Sequence, residues 1–227
     1  MPSRNDRCCG VESLFDEKLA HRDLRTYRET GPSASTQQLL AALRATDRPM
    51  KSLLDIGGGV GTIAHELLEN GVERATLVDA SASYVAAARD EATRRATVDR
   101  LEIRLGDFVE IATGLPSVDV VTLDKVVCCY PDMHALLAVS AALARRLYGI
   151  VYPRDSWWVH LAIAIENRVR RLRGGTFQGF VHSNAAIDAA LRRQGLRLCT
   201  QTRGAWWVVG VYERSADVPG RTPVMLS

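Results

Sequence analysis

The sequence predicts an α/β fold: a doubly wound, mostly parallel seven-stranded sheet closed by a C-terminal antiparallel hairpin and preceded by an N-terminal helical cap. Three observations predict it. From Lys51 onward, short apolar runs alternate with segments of helical periodicity, and strand–helix alternation builds parallel sheets. The first run passes directly into the glycines of Lys51–Thr62 (KSLLDIGGGVGT) before a helical pattern begins. The last two runs, Arg197–Gln201 and Trp206–Tyr212, are joined by too few residues for a parallel crossover, so they pair as a hairpin.

The elements follow in order. Residues 13–28 carry an imperfect helical stripe, with Ser13 as a candidate cap, and Gly31-Pro32 ends it. A second helix, Thr36–Arg44, stops before Asp47-Arg48-Pro49. Both precede the first strand and read as a cap over residues 1–48. Strand one is Ser52–Ile56, and the helix after it, Thr62–Asn70, closes on Gly71. Strand two, Ala75–Val78, ends at Asp79; Ser81 caps the helix Ser83–Arg95. Strand three is Leu101–Leu105 and strand four Asp119–Leu123. Helix Met133–Arg146 leads to strand five, Leu147–Tyr152, and helices Trp157–Leu172 and Asn184–Arg193 precede the hairpin. The body thus spans 49–214. The Pro/Gly/Ser-rich residues 215–227 are expected to be a disordered tail.

Composition narrows the function. Of 227 residues, 47% are hydrophobic and 24% charged, enough for a large core. A net charge of +3 is too small to argue for a nucleic-acid partner. No apolar run approaches the ~20 residues of a membrane span, and the polar start MPSRNDRCCG lacks the apolar segment of a secretion signal. Five cysteines, four of them in adjacent pairs, do not form a disulfide framework. The expectation is a cytoplasmic protein, monomer or homodimer, with no membrane partner.

Glycines serve where a chain turns with positive φ or where a ligand lies against bare backbone. The helix after the glycine run points its first N–H groups at the same place. The dinucleotide pattern G-x-G-x-x-G fails, because its third glycine falls on Thr62. No Lys follows, as a phosphate-binding P-loop requires. A carboxylate, Asp55, precedes Gly57, Gly59 and Gly61; it would repel a pyrophosphate and suits a cationic amino-acid ligand. Asp79, Asp107 and Asp124 then stand at the ends of strands two, three and four. In such a Rossmann-like sheet, ligands bind beyond the carboxyl ends of the strands.

This pattern resembles motif I of the class I S-adenosylmethionine-dependent methyltransferases, and the resemblance spans about Lys51 to Tyr212. It implies S-adenosylmethionine as cofactor and methyl transfer to a small-molecule acceptor by in-line displacement. It implies that Asp55 lies near the methionine part and that Gly57, Gly59 and Gly61 cradle it. Asp79, with Ala80, would bind the ribose; Asp107 and Phe108 the adenine. Asp124 and Val126 complete the expected cofactor contacts. Many family members carry a His where this chain has Cys129, in Asp124-Lys125-Val126-Val127-Cys128-Cys129-Tyr130-Pro131-Asp132. That departure removes an imidazole base. Together with the early Cys8-Cys9 pair, this segment resembles a bacterial branch of the family, with local similarity to magnesium-protoporphyrin O-methyltransferases.

The candidate catalytic residues are Tyr27, Cys129, Tyr130 and His182. Three of them have a plainer reading: a helix end for Tyr27, pocket lining for Cys129, a capping or surface role for His182. The pairs Cys8-Cys9 and Cys128-Cys129 either meet around a soft ion or pack as small apolar residues; no metal site is assigned. The tryptophans at 157, 158, 206 and 207 either stack on a flat acceptor or belong to the core. Arg168, Arg170, Arg171 and Arg173 form a solvated face or meet an acidic partner. Two other functions remain open: a methyltransferase-like binding module without turnover, and a nucleotide-dependent oxidoreductase.

Overall fold

The computed structural model describes residues 14–215. In chain order the elements are α1 (Glu17–Thr30), α2 (Ala34–Arg44), β1 (Ser52–Ile56), α3 (Thr62–Glu69), β2 (Arg74–Asp79), α4 (Ala82–Arg94) and β3 (Leu101–Leu105). A single turn, α5 (Phe108–Ile111), leads to β4 (Val118–Asp124), α6 (Met133–Leu143), β5 (Ala144–Pro153), α7 (Trp157–Leu172), α8 (Asn184–Arg193), β6 (Leu196–Arg203) and β7 (Trp207–Arg214). Ser13, Cys8, Cys9 and the tail 216–227 lie outside the described residues.

The strands form one seven-stranded sheet in the order β3-β2-β1-β4-β5-β7-β6. The first five are parallel; β7 runs antiparallel between β5 and β6. The order reverses between β1 and β4, which places a crevice beyond Ile56 and Asp124. Alternation along each strand feeds two cores. Leu54, Ile56, Val121 and Leu123 face α6 and α8, whereas Leu53, Val120 and Leu77 face α2, α3 and α4.

Three local expectations change. Asp16 caps α1, accepting the Leu19 N–H at 2.8 Å. The helix expected to reach Arg146 ends at Leu143, because Ala144 already pairs with Val118 and β5 is held by neighbours on both sides. And α2 does more than cover the site: Leu39, Leu40 and Leu43 are core residues packed with Leu147, Val151 and Val209.

Helix α1 is fastened to α4 by polar contacts. Tyr84 donates its hydroxyl to Asp23 (2.5 Å), Ser81 donates its hydroxyl to the Phe15 carbonyl (2.8 Å), and Arg28 donates its Nε–H to Glu91 (2.8 Å). Glu91 is fully buried and also accepts from Arg94 and Arg95. Burial alone would raise its pKa; the three guanidiniums hold it well below the carboxylate range.

Candidate active site

A cavity of about 440 Å³ lies where the crevice between β1 and β4 meets α1 and the loop into α2. It is lined by the glycine loop, by the ends of the first four strands, and by Phe15, Asp23 and Thr26 from the cap side.

Gly57 has φ +61°, and a Cβ there would come within 2.5 Å of a Val126 methyl. Gly58, which spacing alone did not single out, is constrained by crowding. Its Cβ would meet Leu77 at 2.7 Å and Asp55 Oδ2 at 2.8 Å. The loop therefore lies bare against β1, with Asp55 packed beneath it.

Asp55 is buried. Its Oδ1 accepts the Thr122 hydroxyl at 2.7 Å, and its Oδ2 has no hydrogen-bond partner. Burial raises its pKa to about 7, against the Thr122 bond, with the Asp124 and Asp79 charges adding to the rise. Asp124, at the end of β4, accepts the Thr36 hydroxyl at 2.5 Å on Oδ2, while its buried Oδ1 has no hydrogen-bond partner. Lys125 Nζ stands 3.4 Å from that oxygen and 3.0 Å from Ser33 Oγ. Lys125 has φ +63°, a conformation that lysine seldom adopts.

Asp79 accepts the Gly59 and Ser81 N–H groups, each at 2.9 Å. Burial raises its pKa despite them. Asp107 caps α5, accepting the Val109 N–H at 2.9 Å, and Tyr130 donates its hydroxyl to the same carboxylate at 3.1–3.2 Å. Phe108 is buried beside them.

Asp55, Gly57, Gly59, Asp79, Ala80, Asp107, Phe108, Asp124, Val126, Cys129, Tyr130 and Tyr27 all line this one cavity. Gly61 is not among the lining residues. It turns the chain into α3 at φ +85°, and a Cβ there would meet His65 instead of a ligand. His182 also stands off the lining: its Nε2 lies 3.1 Å from the Tyr130 carbonyl. A carbonyl only accepts, so this contact puts the proton on Nε2 and gives His182 the work of holding the Tyr130 loop.

Tyr27 lines the cavity, but its hydroxyl donates to Glu66 at 3.1 Å and its ring lies under the Arg95 guanidinium. Burial first, and the Glu66 charge after it, push its pKa well up. Cys128 and Cys129 hold their sulfurs 3.8 Å apart, both near the Lys125 carbonyl. The Cys128 contact, against burial, pulls the Cys129 thiol down, and Cys128 itself is pushed up. No group of three potential metal ligands occurs among the described residues.

The comparisons with known proteins agree with this geometry. Residues 53–147, from β1 into β5, match the family model described as a methyltransferase domain. Over residues 53–147 the chain carries a methyltransferase domain. The domain is 28% identical over 134 residues to ribosomal protein L11 methyltransferase of Alteromonas mediterranea, covering 56% of this chain and 46% of that one. The chain spans about half the length of the curated relatives it matches. Its fold is shared with magnesium protoporphyrin IX methyltransferase of Synechocystis PCC 6803 with bound S-adenosylhomocysteine (TM-score 0.71, 19% identity, 90% of this chain and 98% of that one). It is shared also with an O-methyltransferase family protein of Burkholderia thailandensis (TM-score 0.71, 16% identity, 91% and 63%). The match is to a methyltransferase domain and not to a nucleotide-dependent oxidoreductase.

The residues of the site fit the S-adenosylmethionine that the sequence resemblance implies. Two buried carboxylate oxygens without a hydrogen-bond partner, one on Asp55 and one, beside Lys125, on Asp124, suit a cationic amino-acid end. Among the described lining residues there are five aspartates and one cation, Lys125. Cap residues Phe15, Asp23, Thr26, Ser33 and Thr36 were not legible as site residues, since nothing in their spacing relates them to strands far along the chain.

Proposed function

We infer that this S-adenosylmethionine-dependent methyltransferase moves the methyl group to a small-molecule acceptor entering beside Cys129 and Tyr130. The observation that carries the reading is the cap: α1 and the loop before α2 line the same cavity as the strand ends, so an acceptor must fit beneath them.

The sulfonium is already activated, so the domain's task is alignment and exclusion of water. Asp79 would hold the ribose hydroxyls, and Asp107 with Phe108 the adenine. Asp124 would take the methionine ammonium. Cys129 and Tyr130 would stand at the transferred methyl's side, the Tyr130 loop braced by His182. With no imidazole at Cys129 and the Tyr130 hydroxyl donating to Asp107, the site favours an acceptor that needs little help in losing a proton.

The curated relatives are named for a ribosomal protein, which makes a protein acceptor the second reading. Labelled S-adenosylmethionine incubated with the purified domain, and separately with a size-fractionated cell extract and with ribosomes, separates the two. Label in the small-molecule fraction is the expected result. Label confined to protein would replace the first reading with the second, and S-adenosylhomocysteine binding with no transfer to either would favour a binding module.

A further inference from the structure

Helix α7 is packed on one side only. Val159 alone among its residues is buried. Its inner face is held by Asn167, which exchanges hydrogen bonds with Gly179 at 2.8 Å, and by Arg170, whose guanidinium lies over the Phe177 ring. The outer face carries Trp157, Leu161, Ile165, Val169 and Leu172, exposed by 78, 52, 56, 39 and 78%. At the helical 100° per residue these five fall within a stripe about 120° wide running the length of the helix. They are most of the large apolar side chains that the described residues leave exposed.

The charges beside the stripe are of one sign. Arg168 lies within it, and Arg171 and Arg173 flank its two edges near the C-terminal end; all three are exposed. The acidic side chain of this helix, Glu166, is already paired with Arg170, and Asp155 at the helix start is paired with His160. A second copy laid on this face would bring arginines to a surface with no free carboxylate to meet them. An anionic, apolar-cored surface complements both the stripe and its rim. An interfacial helix has this make-up: apolar and aromatic residues on one face, arginines at its border, and modest overall hydrophobicity.

We propose that α7 seats the domain on an anionic lipid surface, with Trp157, Leu161, Ile165, Val169 and Leu172 entering the headgroup boundary and Arg168, Arg171 and Arg173 meeting lipid phosphates. No helix of the described residues is long and apolar enough to cross a membrane, so the contact is peripheral. The helix borders the active site. Arg170 covers Phe177, Phe177 meets Phe15 edge-on at 5.5 Å, and Phe15 lines the cavity. An amphiphilic acceptor held at the lipid boundary would therefore enter on the side of the cavity that Phe15 lines. That last point rests on the methyl-transfer reading; the docking itself does not.

The test is co-sedimentation of the full chain with vesicles of phosphatidylcholine alone and of equal parts phosphatidylcholine and phosphatidylglycerol, at low and high salt, alongside light-scattering mass and S-adenosylhomocysteine affinity. Wild-type protein should pellet with the anionic vesicles, several-fold less with neutral ones, and less at high salt. The L161D/I165D variant should lose most of that binding, and R168E/R171E should lose the preference for phosphatidylglycerol, both with unchanged S-adenosylhomocysteine affinity. Wild-type protein left in the supernatant with both vesicle types overturns the proposal. So does vesicle binding that both variants retain. A wild-type dimer that L161D/I165D converts to a monomer, without loss of vesicle binding, reassigns the face to self-association.

Discussion

Thr122 donates its hydroxyl to Oδ1 of Asp55 across the β1–β4 pair, at 2.7 Å, and leaves Oδ2 of that carboxylate buried with no partner. One hydrogen bond does not offset removal from water, so the Asp55 pKa rises from 3.8 to about 7. Between those values the folded protein binds more protons than the unfolded chain. The ligand-free fold should therefore lose stability as pH rises from about 4 to about 7, by about 1.4 kcal/mol for each pH unit crossed, and level off above that. Asp55→Asn should raise the melting temperature of ligand-free protein at pH 8 and change it little at pH 4. Thermal melts across pH check this; an equal effect at both values would contradict it.

Gly57→Ala would place a methyl against Val126 and force a positive φ on alanine. The expected result is a loss of about 1–3 kcal/mol in stability and a fall of tenfold or more in S-adenosylhomocysteine affinity, read by calorimetry. Adding Val126→Ala should recover part of the stability, because it removes the clash and leaves the backbone strain.

Lys125 is the one cation among the described lining residues, 3.4 Å from the Asp124 oxygen that has no hydrogen-bond partner. An ammonium acceptor beside a cation suits a zwitterion, so Lys125→Met should weaken S-adenosylhomocysteine by about tenfold, the loss of one charged hydrogen bond. Methylthioadenosine, which has neither amino nor carboxyl group, should bind as before. Equal weakening of both ligands would place the lysine's effect elsewhere.

Glu91→Ala should cost about 2 kcal/mol, the loss of charge-assisted hydrogen bonds, because Arg28 and Arg95 keep Asp90 and Glu69 as partners. As Glu91 ties α1 to α4, the same variant should speed proteolysis within 17–30 under native conditions. Urea melts and limited digestion provide the two readings; a variant as stable as wild type would show the network to be ornamental to the fold.

Much of the fold was legible before any coordinates. The strand and helix order, the closing hairpin, and the carboxylates at the four strand ends follow from periodicity and from where glycine interrupts it. These are local properties of the chain, and neighbours along the sequence decide them. Helix ends were less legible: Arg145 and Arg146 read as the end of a helix, yet they belong to β5, because pairing with β4 and β7 overrides propensity.

What the sequence determined by itself is the glycine loop after β1 and the set of aspartates beyond it, since covalent spacing alone carries them to one edge of a parallel sheet. What only the tertiary structure decided is which side chains reach the cavity. Tyr27 and His182 are taken up by Glu66 and the Tyr130 carbonyl, Thr36 and Lys125 gather on Asp124, and the apolar stripe of α7 is left uncovered. The reason is physical: Tyr27 and Glu66, Tyr130 and His182, and Thr36 and Asp124 stand 39, 52 and 88 residues apart and meet only after the sheet forms, and local sequence carries no record of that meeting.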